Sequence, residues 1–327
     1  MSDLHRFQTD TVSIRQAFLQ RFADSLAHLA EVDVLGDKNL NNALKELSNR
    51  VNASEIVAPV AFHSYFKLLR AIQGSGLRQI RAAARKLIAA GFVKPGKIKV
   101  LPLTPDCFSP AEARLLRQQF CSESLKGQQV ARLPANKIET LEDELANALR
   151  LLELYAPQAN SDFRAITREI IPVCGRSHKG MTFDGCSSLE RWGAILVNIC
   201  RKRTPLVLAE TLVHESAHSL LFAVQLDDYL ALNPSTDRYH SPLRIDPRPI
   251  DGIFHATFVL SYMIAFLNEV VNGSTVPDSL KQEAVTVLAE RTKAFNDGYD
   301  VLQAHARFTS TGRKIIDMAQ ARVSQAA

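Results

Sequence analysis

Apolar residues recur at three- and four-residue intervals over most of the chain, and only two stretches carry the denser β-branched runs of buried strands. The helical spacing predicts segments over 11–34, from about residue 41, and over 65–90 with a glycine interruption. Glycines and a proline in 91–96 then break the pattern, and 97–102 reads as a short strand. Ser109, Pro110 and Glu112 supply a capping hydroxyl, a first-turn proline and a reciprocal carboxylate, so a helix should run from there to Phe120. Another helix is expected over 140–155. After Ala156 and Pro157 the character changes: 163–173 and 192–199 read as strands, with turn signals at 175–180 and at Asp184 and Gly185. A helix capped by Thr204 and Pro205 follows, then a proline-rich connection over 233–249, an apolar helix over 253–267 and terminal helices.

This order predicts an α+β fold, mostly helical, with a small antiparallel sheet beside a metal-binding HExxH helix. A boundary near residue 158 separates a predominantly helical N-terminal region, 1–158, from a catalytic region, 159–327, and the two are also compatible with one continuous domain.

Composition narrows the classes. A chain of 327 residues with 46% hydrophobic residues can fill a sizeable core. The formal charge of +5 is scattered in short runs, without the concentrated basic footprint of a nucleic-acid-binding protein. Five cysteines, odd in number and without CxxC spacing, exclude a zinc finger and read as reduced thiols. With no apolar segment in the first ten residues, a cytoplasmic location is expected. The apolar run 253–267 is too short and too interrupted for a membrane span, so no membrane partner is expected.

The chemistry concentrates in HESAH, where His214 and His218 lie one helical turn apart. That spacing projects both imidazoles from one helix face, the geometry that grips a single metal ion. Glu215 is rotated off that face, as a residue acting on metal-bound water or orienting a substrate group would be. Glu210, one turn earlier, is a candidate to support a histidine through its second ring nitrogen. A third ligand is needed, and His255, His240 and Glu269 are the candidates; His255 and Glu269 are nearly four turns apart and cannot serve the same ion from one straight helix. In the connection to His255, Pro242, Pro247 and Pro249 restrict the backbone. Arg244 and Arg248 would thus be held in fixed directions, suited either to clamp a carboxylate or to brace the loop against Asp246 or Asp251. Cys186, His178, Ser187 and Ser188 offer little support for a covalent mechanism, and Trp192 is expected to pack in the core.

Taken together, LAETLVHESAHSLLF and YHSPLRIDPRPIDGIFHATFV resemble the HExxH-motif family of 2-oxoglutarate-dependent peptide β-hydroxylases associated with ribosomally synthesised peptide natural products (RiPP biosynthesis). The likeness runs from about residue 172 to the C-terminus and is strongest over 208–259. It implies that His214, His218 and His255 hold Fe(II). Arg244 or Arg248, with Tyr239 beside them, would bind the cosubstrate 2-oxoglutarate. Glu215 would take part in catalysis, a ribosomal precursor peptide would be the partner, and molecular oxygen the oxidant. Leu243 departs from the family, standing where many members carry an aromatic residue. The alternative activity is a zinc-dependent peptidase, weakened because Leu221 and Val224 replace the glycine and histidine of the extended HExxHxxGxxH motif. A non-enzymatic peptide-binding protein, with structural histidines, is the third possibility.

Overall fold

The computed structural model describes residues 10–53, 56–93, 97–120, 128–177, 183–226, 228–241 and 246–326. The chain is mostly helical with a small mixed sheet and forms two compact units. One comprises the chain to Arg132 together with Ile166–Leu196; the other comprises Leu133–Ala165 and Val197–Ala327. The chain therefore crosses between units three times.

The first unit opens with α1 (Thr11–Glu31) and α2 (Lys38–Asn52), each started by an aspartate whose carboxylate accepts first-turn N–H groups. A two-residue strand, β1 (Ile56–Val57), leads into α3 (Pro59–Gly74) and α4 (Leu77–Ala90), separated at the expected glycine break. Then come β2 (Phe92–Val93), antiparallel to β1, β3 (Lys99–Val100), α5 (Pro110–Gln119) and β4 (Gln128–Ala131). The cap of α5 forms as its sequence dictates: Glu112 N donates to Ser109 Oγ at 3.3 Å and Ser109 N to Glu112 Oε2 at 2.8 Å.

The remaining strands are β5 (Glu169–Ser177), β6 (Gly185–Ser187) and β7 (Ala194–Asn198), whose last two residues pass into the second unit. The sheet order is β3-β5-β7-β6, with β4 also on β5. β3 pairs with β5 in parallel, Lys99 opposite Glu169, whereas β4 pairs with it antiparallel, Ala131 opposite Cys174. The sheet is thus mixed rather than antiparallel. Among the described residues, α5 and two later helices lie between β3 and β5 in the chain, a connection long enough to return the chain for parallel pairing.

Trp192 is a core residue, its ring 4.4 Å from that of Phe18 and 5.6 Å from that of Phe62. Arg191 is buried beside it and donates to Glu169 Oε2 at 3.0 Å and to Gln119 Oε1 at 3.0 Å, which satisfies the charge. Cys186 is buried with its sulfur near the carbonyls of Phe120 and Ser187, the environment of a packing thiol rather than a nucleophile. His178 lies outside the described residues.

The second unit contains α6 (Ala135–Tyr155), α7 (Pro157–Ile166), α8 (Pro205–Gln225), α9 (Ile250–Asn272), α10 (Asp278–His305) and α11 (Ser310–Ala326). α9 packs against α8, α10 and α11. It is long and apolar enough to cross a membrane, yet 72% of its most apolar window is buried, as in a central core helix.

α7 corrects one sequence expectation, because residues 163–166 are helical and the strand starts only at Glu169. A tertiary contact overrides the β-branched propensity. Glu269 of α9 accepts from Gln158 N at 2.8 Å and from Ala159 N at 2.9 Å, satisfying the amino end of α7 from another helix. Burial pushes the Glu269 carboxyl up, while the two backbone donors act in the opposite direction.

Glu269→Ala should lower unfolding free energy by about 1–2 kcal/mol, the range for a lost helix cap. Glu269→Gln should lose less, because its amide oxygen still accepts one N–H. Denaturant titration of both variants checks the order.

Candidate metal centre

α8 forms where Thr204 and Pro205 begin it. Thr204 Oγ1 accepts from Val207 N at 3.3 Å and Pro205 occupies the first turn. Its leucines, valines and alanines are buried around most of its circumference, so polar side chains along its middle need defined partners.

Glu210 finds one in Arg291 of α10, whose Nε and Nη2 donate to the two carboxylate oxygens at 2.8 and 3.1 Å. This forked pair, rather than support of a histidine, is the role of Glu210. It ties the turn before His214 to α10.

His214 and His218 face each other as their spacing requires. Their Nε2 atoms are 3.1 Å apart and their ring centroids 4.7 Å. His255, from the second turn of α9, stacks against His218 with centroids 5.7 Å apart and planes 29° from parallel, and Phe222 borders both rings. The packing of α8 against α9 therefore assembles the three histidines that the sequence singled out. His218 is held well below the ordinary imidazole range, first by burial and then by its two histidine neighbours. His255 is also lowered by burial, against the opposing charge of Asp251. Neutral imidazoles result, the protonation state a metal ligand needs.

The outer nitrogens are engaged as well. His214 Nδ1 lies 3.3 Å from Met263 Sδ. His255 Nε2 lies 2.9 Å from Gln225 Oε1, and Gln225 Nε2 donates to Asp251 Oδ1 at 3.2 Å. That amide orientation makes Gln225 Oε1 the acceptor and His255 Nε2 the donor, so the His255 lone pair is on Nδ1. Glu215 is buried next to the pair, its Oε1 4.0 Å from His214 Nε2.

Among the described residues, no three His, Cys, Asp or Glu side chains are arranged to hold a metal ion. The donor chemistry is nevertheless compatible with one. With metal–nitrogen bonds of about 2.0–2.1 Å, neighbouring ligand nitrogens lie about 3.0–3.4 Å apart, and the His214–His218 separation falls in that span. The third imidazole is adjacent, with its Nε2 turned to Gln225.

The connection before α9 places Tyr239 and Arg248 opposite each other in an isolated antiparallel bridge, with reciprocal N–H···O bonds of 2.9 Å. The Tyr239 ring lies against His305, centroids 5.0 Å apart. Arg248 Nε is 2.9 Å from Asp246 Oδ2, within ion-pair distance but without hydrogen-bond alignment. The chain then enters α9 directly, with Pro249 as N-cap residue. Arg244, Pro242 and Leu243 lie outside the described residues. Of the other ligand candidates, His240 is exposed and Glu269 has both oxygens on the amino end of α7.

Sequence reasoning overlooked Gln225, Met263 and Arg291. Gln225 was within reach, since it follows His218 by seven residues, two helical turns on the same face. Met263 and Arg291 carry no such signal, because only the packing of α8 with α9 and α10 brings them here.

No protein-family model matches the chain, and no curated protein matches it.

Arg291→Ala strands the buried Glu210 carboxylate and should destabilise the protein by about 3 kcal/mol. Replacing both partners, Glu210→Gln with Arg291→Met, should recover most of that loss. Chemical denaturation of the single and double variants checks the coupling.

Proposed function

We propose that the chain is an Fe(II)- and 2-oxoglutarate-dependent peptide β-hydroxylase that modifies a ribosomally synthesised precursor peptide. One observation carries this proposal most directly: the Nε2 atoms of His214 and His218 converge to 3.1 Å with a third imidazole, His255, stacked beside them. The sequence pairing of HExxH with SPxRxDxRPxxGxxH supports iron and 2-oxoglutarate over other metal chemistry.

In this reading His214, His218 and His255 hold the metal. When bound, Fe(II) and 2-oxoglutarate supply the oxidation, in which molecular oxygen gives one atom to succinate, formed with carbon dioxide, and the other to the peptide carbon as a hydroxyl. Arg248 receives a carboxylate of 2-oxoglutarate through its guanidinium fork, and the bridge to Tyr239 fixes the backbone from which that fork extends. Arg244 is the other candidate for the clamp. Glu215 orients a polar group beside the histidine pair, and Phe222 gives the cluster an apolar wall that limits access of water.

A zinc-dependent peptidase is the second reading, favoured by the position of the Glu215 carboxylate 4.0 Å from His214 Nε2, where a general base would stand. The engagement of Glu269 at α7 removes the carboxylate this reading would recruit as third ligand.

Anaerobic protein should bind Fe(II) and 2-oxoglutarate together. On exposure to oxygen with the precursor peptide it should form succinate and add the mass of one oxygen atom to the peptide. His214→Ala and His218→Ala should abolish metal binding and turnover without unfolding the protein. Arg248→Ala should weaken 2-oxoglutarate binding about tenfold or more, the equivalent of one lost charge-assisted hydrogen bond; unchanged affinity assigns the clamp to Arg244. Metal titration, succinate assay and peptide mass spectrometry decide among these. Zinc-dependent cleavage lost in Glu215→Gln would establish the peptidase instead.

A further inference from the structure

Met263 has no part in the activity described above, yet its sulfur lies 3.3 Å from the outer nitrogen of the first HExxH histidine. The side chain is buried on α9, in the same helix as His255 and two turns further on. A thioether carries no hydrogen on sulfur and can only accept. Were Nδ1 of His214 bare, two lone pairs would meet at this distance, so the contact is favourable only with hydrogen on Nδ1. A neutral imidazole has a single N–H, and placing it on Nδ1 leaves a lone pair on Nε2.

The opposite edge of the ring is consistent with this assignment. His214 Nε2 and His218 Nε2 are 3.1 Å apart, a contact that needs one donor and one acceptor. With Nδ1–H on His214, its Nε2 is the acceptor and His218 the donor. The Met263 contact thus selects the tautomer, and the contact on the opposite side of the ring accommodates it.

We propose that Met263 is a positioning residue that fixes the Nδ1–H tautomer of His214 and so presents Nε2 as a lone pair toward His218 and the metal position. The tautomer stands on the Met263 contact, with which the His218 contact is compatible; its consequence for metal binding rests on the hydroxylase reading, or on any reading in which His214 is a ligand. A carboxylate, a carbonyl or water is the usual outer partner of a ligating imidazole. A thioether is uncharged and polarisable, so it orients the ring while raising its basicity less than a carboxylate would.

The test uses the full chain with histidine nitrogens labelled. In metal-free protein, well above the ordinary imidazole range, two-bond proton–nitrogen correlations should show His214 protonated on Nδ1 alone. Met263→Leu keeps a similar apolar volume but removes the acceptor. It should release the ring to the Nε2–H form and weaken Zn(II) or Fe(II) binding about tenfold, the lower edge for loss of an outer partner. Met263→Gln, whose amide oxygen accepts, should restore both signals. A wild-type ring protonated on Nε2, or on both nitrogens, overturns the proposal. So does a Met263→Leu protein with unchanged tautomer and unchanged metal affinity when His214→Ala binds none. Wild-type protein with the Nδ1–H signal but no affinity for either metal leaves the positioning role intact and removes the hydroxylase reading instead.

Discussion

Three imidazoles packed between two apolar helices are the constraint on which this structure turns. A ring nitrogen in such a place gains from a partner, because an unmatched polar atom away from water costs about 1–3 kcal/mol. Both nitrogens of His214 and the Nε2 atoms of His218 and His255 find partners in one another, in Met263 and in Gln225. Burial also holds His218 and His255 neutral, so lone pairs rather than charges crowd the cluster. Neutral imidazoles are also the form in which the proposed metal site would need them.

Anchors around the cluster hold the helices that carry it. The Glu210–Arg291 fork fixes α8 to α10 one turn before His214. Glu269 fixes α9 to the amino end of α7, beyond the end of the cluster. In both carboxylates each oxygen accepts a hydrogen bond. Their positions show why a carboxylate near a metal motif is not automatically a ligand: each has a structural demand that accounts for it.

Much of this was legible in the chain. Caps, prolines and apolar spacing located α5, α6, α8 and α9, and HESAH placed two histidines on one face before any coordinates. His255 stood among the candidates for a third ligand, and the family resemblance singled it out. What the sequence could not disclose depended on contacts between distant segments. The strand-like composition of 163–166 gave way to a helix because Glu269 reaches its amino end, and β3 joined β5 in parallel, a pairing for which local propensity holds no information. Met263 and Arg291 escaped notice for the same reason, while Gln225 lay on a helical period that was open to reading.

The bridge between Tyr239 and Arg248 bears on the entropy that capture of an anion in the proposed site would consume. Reciprocal hydrogen bonds already fix the backbone on both sides, so a ligand meeting the guanidinium immobilises only side-chain torsions, an entropic loss of about 1.5–2 kcal/mol for an arginine. A slack loop would lose backbone freedom as well, about 1–2 kcal/mol for every residue ordered. In the proposed hydroxylase, Arg248 would therefore take up a small acid by ordering its own side chain, with the backbone of the bridged pair already set.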